Sequence, residues 1–284
     1  MTVRTPRPAS TVVLVRPASA GVETCLVRRH DEVAFMGGAS VFPGGRLDPT
    51  DRLAEPARCC AGMETVAARL AHDLSAADAT AHAVGAIREL FEETGLLLAE
   101  PAAGGHLPDE AHRLAARGRI ADGQATLEGF AARERLRFNL AALVPFGHWV
   151  TPESETKRYD VRFFMALAPE GQEPLHDEGE ATETVWMRPS EALDGCRRGE
   201  VLLAPPTWTT LRWLEQWATV DEALAWAARP HRWVVQPRLF EVGGEEGGKL
   251  LALPGDPLYP PVEGFTARET RFSFGSGRWT PLEA

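Results

Sequence analysis

Lysine and cysteine are scarce in this chain of 284 residues. Only Lys157 and Lys249 are lysines among the 30 basic residues, which we attribute to a coding bias toward arginine. The four cysteines form no C-x-x-C pair, and this argues against both a zinc knuckle and a disulfide framework. Such sparse use of cysteine is typical of a protein from a reducing compartment.

Long apolar runs are also lacking. No segment approaches the ~20 apolar residues that a membrane-spanning helix needs. The apolar run at 11–15 is too short for the core of a signal peptide, and the last four residues, 281–284, do not resemble a peroxisomal address. We therefore expect a cytoplasmic protein that does not bind membranes.

Basic residues are outnumbered by acidic ones. Lysine and arginine total 30 against 40 aspartates and glutamates, so the formal net charge is −10. This charge argues against a nucleic-acid partner, because polyanions attract basic surfaces. It leaves a small anionic substrate open, since a local site can carry the opposite sign of charge.

Strand and helix patterns alternate along the chain. Hydrophobic periodicity and turn residues predict strands near 11–15, 23–29, 141–150, 158–168 and 183–187. The same criteria predict helices near 65–74, 77–94, 125–136, 189–195 and 206–228. The last of these helices contains four tryptophans, which we assign to the core. Residues 231–284 carry glycine, proline and short β runs, with a solvated turn expected at 243–248.

Three glutamates share one face of the predicted helix at 77–94. Glu89, Glu92 and Glu93 are spaced i, i+3 and i+4, so their carboxylates lie close together near the end of the helix. The carboxylates repel one another, and the negative end of the helix dipole increases this repulsion. A divalent cation that prefers oxygen ligands, Mg²⁺ or Mn²⁺, would neutralise them.

A solvated acidic helix face would show the same spacing of glutamates. The flanking residues favour the metal site instead, because Arg88 precedes the trio, Gly95 follows it and a Pro-Gly-Gly turn lies upstream. Taken together, this combination is difficult to obtain by chance.

These residues resemble the Nudix box, G-x5-E-x7-R-E-U-x-E-E-x-G-U with U apolar. The second half of the box is matched at every fixed position, by Arg88, Glu89, Leu90, Glu92, Glu93, Gly95 and Leu96. In the first half, Gly45 of the Phe42-Pro43-Gly44-Gly45 turn stands at the box glycine and Asp51 at the first glutamate. Arg88 follows Gly45 by 43 residues where the pattern has 14, so about 29 residues are inserted, roughly at 49–76.

An insertion at this point is similar to that of the Nudix subgroup that includes peroxisomal coenzyme A diphosphatases. Stretches at 148–152, 158–164 and 183–187 also resemble that subgroup. The resemblance covers residues 8–230 as a Nudix hydrolase domain and leaves 231–284 as a C-terminal extension of unknown role. It implies an α/β fold, a Nudix α/β/α sandwich around a mixed β-sheet.

The resemblance also implies the chemistry. A Nudix hydrolase cuts a diphosphate that links a nucleoside to another group, and here the implied substrate is coenzyme A or an acyl-coenzyme A. Glu89, Glu92 and Glu93 would hold Mg²⁺ or Mn²⁺, with the carbonyl of Gly45 as a further ligand. Arg88 would orient Glu89 and keep it ionised.

Other roles are open between alternatives. The general base is Glu89 or a glutamate before the last core strand, for which the candidates are Glu178, Glu180 and Glu183. Arg28, Arg29 and Arg46 are candidates for binding substrate phosphate, although each is also typical of surface charge.

Three competing functions remain at this point. The substrate could be ADP-ribose, NADH or a nucleotide sugar instead of a coenzyme A derivative. A Nudix-fold module could also sense a nucleotide without cleaving it, but such modules usually lack a box glutamate and this chain has all three. Finally, residues 231–284 could pair subunits in a homodimer, which is compatible with catalysis.

Overall fold

The computed structural model describes residues 4–30, 37–174, 181–242 and 248–282. Within these ranges the strands are β1 Arg7–Pro17, β2 Val22–Arg29, β3 Ala39–Val41, β4 Gly44–Arg46, β5 Cys60–Ala61, β6 Ala99–Pro101, β7 Leu136–Asn139, β8 Val144–Val150, β9 Tyr159–Leu167, β10 Ala181–Met187, β11 Leu202–Leu203, β12 Arg238–Val242, β13 Gly248–Ala252, β14 Arg271–Gly275 and β15 Arg278–Leu282. The helices are α1 Pro56–Cys59, α2 Met63–Leu70, α3 Ala76–Thr94, α4 Glu110–Ala121, α5 Leu127–Glu134, α6 Pro189–Arg198, α7 Pro205–Leu214 and α8 Val220–Ala227. Two 3₁₀ turns cover Pro49–Asp51 and Leu140–Ala142.

A mixed sheet of eight strands forms the centre of the molecule. Its order is β11-β3-β2-β1-β9-β8, while β4 pairs with β1 and β10 pairs with β2. The long strand β1 runs parallel to β9 from the Arg7–Tyr159 pair to the Val15–Leu167 pair, and its remaining neighbours are antiparallel. The expected α/β fold with a mixed sheet is confirmed.

Both faces of this sheet are covered. Successive side chains of a strand point to opposite faces, and Val12 and Leu14 of β1 lie in one hydrophobic cluster with Phe91 of α3. Val13 lies in a second cluster with Trp213 of α7. The sheet is therefore the middle layer of a sandwich.

Helix α3 crosses one face of the sheet and ends with the glutamate trio. Ser75 caps its start, because the Ser75 side chain accepts a hydrogen bond from the backbone N–H of Asp78. Gly95 caps its end with a left-handed φ of 71°. The helix predicted at 77–94 is thus confirmed, beginning one residue earlier.

The single helix predicted at 206–228 is wrong. The structure has two helices, α7 and α8, separated by residues 215–219. Thr219 starts the second helix, since its side chain accepts from the N–H of Glu222 and the Glu222 carboxylate accepts from the N–H of Thr219. This reciprocal cap competes with continuation of the first helix.

The inserted segment folds against α3. It forms the first 3₁₀ turn, α1, β5 and α2, and it buries Cys59, Val66 and Leu70 in the same cluster as Phe91. The short strand β5 pairs with β7 in a three-stranded sheet completed by β6. The insertion is therefore part of the layer that contains α3.

Residues after 230 pack against the opposite layer. Strands β12 to β15 form an antiparallel sheet, and Trp233, Leu251 and Phe272 share a cluster with Trp213. The boundary at 230 and the role of the extension stay predictions. In the described residues, no helix is both long enough and apolar enough to cross a membrane.

Candidate active site

Arg88 lies at the centre of a cluster of carboxylates on α3. Its Nη2 is 2.9 Å from Oε1 of Glu89, and its Nη1 is 2.9 Å from Oε2 of Glu92. A further bond from Nη2 goes to the carbonyl of Arg46 at 3.0 Å. Only 9% of the Arg88 side chain is exposed. One buried guanidinium therefore sets the positions of two glutamates of the trio.

Asp51 is the third carboxylate that Arg88 contacts. Nε of Arg88 donates to Oδ1 at 2.8 Å and Nη2 donates to Oδ2 at 3.0 Å, so the pair is bidentate. Asp51 is 1% exposed, and its Oδ2 also accepts from the N–H of Asp48 at 2.7 Å. Gly85 leaves space for it, because a Cβ there would lie 2.8 Å from Oδ2. Asp51, which stands at the position of the first glutamate of the box, is thus hydrogen-bonded to Arg88, the arginine of the box.

The glycine turn packs directly against the glutamates. The N–H of Gly44 donates to Oε2 of Glu93 at 3.0 Å. A Cβ on Gly45 would lie 2.5 Å from Oε2 of Glu89, so the missing side chain makes room for that carboxylate. The turn and the end of α3 therefore lie in direct contact, while the role of the Gly45 carbonyl as a metal ligand stays a prediction.

Burial perturbs the protonation of these groups. Burial raises the pKa of the Glu89 carboxyl to about 7, the Arg88 guanidinium opposes this shift, and the nearby Glu92 adds to it. Burial also raises the pKa of the Glu92 carboxyl, and the Arg88 guanidinium opposes this shift as well. Burial lowers the pKa of Arg88, but its bonds to Asp51 and the nearby glutamates hold it above the ordinary value.

Arg117 of α4 was not found from the sequence. It is 2% exposed, and it donates from Nε to the carbonyl of Glu92 at 2.6 Å and from Nη2 to the carbonyl of Glu93 at 2.9 Å. These carbonyls belong to the last turn of α3, where the helix has no partners for them. No local motif marks this arginine, which lies 25 residues beyond Glu92 in the sequence.

The donor set fits a hard divalent cation. Glu89 and Glu92 keep 15% and 19% of their side chains exposed, and the three atoms nearest to a Cβ built on Gly45 belong to the Glu89 carboxylate. Carboxylates are preferred ligands of Mg²⁺ and Mn²⁺. As described, the chain has no three His, Cys, Asp or Glu side chains arranged to hold a metal ion. In this structure Arg88 contacts the carboxylates of Glu89 and Glu92, and the N–H of Gly44 donates to that of Glu93. Metal binding by the three glutamates therefore stays a prediction.

The three candidate phosphate-binding arginines lie at the ends of two strands. Arg46 ends β4, next to Gly45, with its carbonyl on Arg88. Arg28 and Arg29 end β2, and the Nε of Arg29 is buried without a hydrogen-bond partner among the described residues. Their contact with substrate stays a prediction.

Of the alternative bases, Glu183 is described and Glu178 and Glu180 lie outside the described residues. Glu183 belongs to β10 and stands opposite Arg28 of β2. This places Glu183 on the strand next to the candidate arginines, while its role as a base stays a prediction.

A family model described as the NUDT19 Nudix domain matches residues 53–214. The chain belongs to the Nudix hydrolases. The match spans more than half of the chain, and it includes the second half of the box together with the inserted α1 and α2. The match therefore includes most of the segment at 49–76 that the sequence predicts to be an insertion.

Curated relatives share most of their length with this Nudix hydrolase. The acyl-coenzyme A diphosphatase NUDT19 of Homo sapiens is 26% identical over 276 residues, covering 86% of this chain and 74% of the relative. The protein of the same name from Gallus gallus is 27% identical, covering 87% and 75%. A solved Nudix hydrolase from Alicyclobacillus acidocaldarius superposes with a TM-score of 0.65 at 27% identity, covering 79% of this chain and 97% of that one.

Proposed function

We propose that this Nudix hydrolase cleaves the diphosphate of coenzyme A or an acyl-coenzyme A with Mg²⁺ or Mn²⁺ held by Glu89, Glu92 and Glu93. The observation that carries the proposal is the buried Arg88 on α3, which positions two of these carboxylates beside a glycine turn. The choice of substrate is supported by the likeness to acyl-coenzyme A diphosphatases.

The contacts of these residues support a role for each of them in the proposed reaction. A bound divalent cation would supply positive charge against the diphosphate oxygens. Glu89, Glu92 and Glu93 would hold it, with the Gly45 carbonyl as a further ligand. Arg88 keeps the Glu89 and Glu92 carboxylates apart and aligned. Each of the two carboxylates has an oxygen 2.9 Å from a different nitrogen of the rigid guanidinium group.

Substrate phosphates would be bound by the arginines beside the turn and at the end of β2. Arg46 is exposed and adjoins Gly45. Arg28 and Arg29 lie on the strand that pairs with β10. The proton of the attacking water would pass to Glu89 or, as the alternative, to Glu183. Comparing Glu89→Gln with Glu183→Gln assigns this role, because only loss of the base removes one limb of the pH–rate profile.

Product analysis tests the proposed reaction. Purified protein is incubated with coenzyme A and Mg²⁺ or Mn²⁺, and we expect 3′,5′-ADP and phosphopantetheine by mass. The double variant Glu92→Gln, Glu93→Gln should lose most of this activity, whereas the exposed loop variant Glu153→Gln should keep it.

ADP-ribose, NADH and a nucleotide sugar form the rest of the substrate panel. Turnover of one of these without turnover of coenzyme A would reassign the substrate. A protein that binds nucleotides but turns over none of the panel would be a sensing module. The predicted cytoplasmic location and homodimer are tested separately, by localisation of a tagged chain and by sedimentation.

A further inference from the structure

A cleft of about 570 Å³ lies between the inserted segment and the first turns of α3. We name it the insertion cleft. Leu53, Pro56, Met63 and Ala67 form its wall on the insertion side, and Ala77 and Ala81 of α3 form its other wall. Its volume is within the range of small-molecule sites.

Most residues that line the insertion cleft are apolar although the cleft faces solvent, and the polar lining residues are Asp51, Arg52, Glu64 and Thr80. Leu53, Met63 and Ala67 pack against the core that contains Phe91, yet they are only partly buried. Ala77 is exposed. The insertion therefore presents apolar side chains to an open space, and an apolar ligand would remove them from water.

The insertion cleft lies on the same face of α3 as the box arginine. Ala81 follows Ala77 by about one helical turn and Arg88 follows Ala81 by about two, so the three side chains lie on one face of the helix. Asp51 connects the two regions, because it lines the cleft and also accepts two bonds from Arg88. At 1.5 Å per residue, the cleft lies about 12 to 18 Å from Glu89 along the helix axis.

We propose that the insertion cleft binds the acyl chain of a coenzyme A thioester. This inference rests on the function proposed above and adds the part of the substrate that the inserted residues recognise. An acyl-coenzyme A has its diphosphate at one end of a long arm and its apolar chain at the other. With the diphosphate at the glutamates, an arm that follows α3 delivers the chain to the cleft, where Leu53 and Met63 offer apolar contacts.

A bulky residue at the mouth of the insertion cleft tests this assignment. Ala77→Phe fills the cleft from an exposed position, the second residue of α3. Ala111→Phe is the matched control, because Ala111 is also the second residue of its helix, α4, and is also exposed. Each protein is assayed with coenzyme A and with dodecanoyl-coenzyme A, and melting temperatures show that the variants are folded.

We expect wild type to favour the acyl substrate by kcat/KM. In Ala77→Phe, the ratio of kcat/KM for dodecanoyl-coenzyme A to kcat/KM for coenzyme A should fall by at least about fivefold. The fall should come mainly from a higher KM for the acyl substrate, since loss of a few methylene contacts has an effect of this size. The ratio should be unchanged in Ala111→Phe. Calorimetric binding of dodecanoyl-coenzyme A in the presence of EDTA, where hydrolysis is suppressed, should show the same loss of affinity in Ala77→Phe.

Other outcomes separate the two proposals. Equal turnover of both substrates by wild type, or an unchanged ratio in folded Ala77→Phe, would overturn the acyl site while leaving the diphosphatase intact. Failure of wild type to cleave either substrate would remove the proposed function itself, and the acyl site with it. The insertion-side variant Ala67→Phe repeats the test should Ala77→Phe fail to fold.

Discussion

The guanidinium of Arg117 and the main-chain carbonyl of Glu92 are joined by a hydrogen bond of 2.6 Å. A second bond, of 2.9 Å, goes from Arg117 to the carbonyl of Glu93. The end of a helix carries partial negative charge, which would add to the repulsion among the glutamates. Arg117 places a buried positive charge at this end from outside the motif. Arg117 therefore fixes the main chain of the last turn of α3, while Arg88 fixes the side-chain carboxylates of Glu89 and Glu92.

Replacing Arg117 by alanine should weaken both the fold and the site. Two carbonyls lose their donor, and we expect a loss of about 2 to 4 kcal/mol in the free energy of unfolding. The half-saturating concentration of Mn²⁺ should rise, because the glutamate backbone is no longer held. Urea titration and activity at graded Mn²⁺ measure the two effects. Arg119→Ala on the same helix is the control, and an equal effect from Arg119→Ala would contradict a specific role for Arg117.

Asp51→Asn should separate charge from shape at the Arg88 pair. Asparagine is nearly isosteric but neutral, so Arg88 loses a fully buried counter-charge, and we expect about 3 kcal/mol of lost stability together with a large fall in kcat. Asp109→Asn is the control, because Asp109 caps α4 at an exposed position and asparagine caps equally well. Wild-type stability and kcat in Asp51→Asn would show that the pair has no role.

Gly45→Ala should reduce activity while leaving stability nearly unchanged. The added Cβ would lie 2.5 Å from the Glu89 carboxylate, which must then move. Displacements of about 1 Å in a catalytic group can lower the rate roughly a hundredfold. In contrast, Gly118→Ala places its Cβ in open space on α4 and should keep full activity. Steady-state kinetics with thermal melting checks both variants, and an active Gly45→Ala enzyme would disprove the close fit.

Much of the site could be predicted because its signals are local. Glu89, Glu92 and Glu93 share a helix whose periodicity and Gly95 cap are visible within one short segment. The boundary between α7 and α8 had a local signal too, since Thr219 and Glu222 form a Thr-x-x-Glu capping pair, but the apolar pattern across it obscured that signal.

Contacts between distant segments could not be predicted in the same way. Asp51 meets Arg88 across 37 residues, and the fold of the insertion between them decides that contact. Arg117 belongs to a helix outside the motif, and only tertiary packing brings it to the end of α3. The insertion cleft likewise exists only because α2 packs beside α3. In each case the decisive partner is fixed by packing and has no spacing that a pattern could detect.

His82 should make the stability of the protein depend on pH below neutrality. It is a buried residue of α3 whose Nδ1 is 3.0 Å from Oγ of Ser10, and burial lowers its pKa from 6.5 to about 4, with Arg162 adding to the shift. Below pH 6.5 the His82 imidazole therefore binds a proton in the unfolded chain, whereas in the folded chain it binds one only near pH 4. The stabilisation is complete above pH 6.5 and is lost as the pH falls toward 4, by roughly 3 kcal/mol at most.

Urea titrations from pH 4 to 8 should show a flatter profile for His82→Gln than for wild type, while His106→Gln, at an exposed position, should follow wild type. Parallel profiles for wild type and His82→Gln would contradict this assignment.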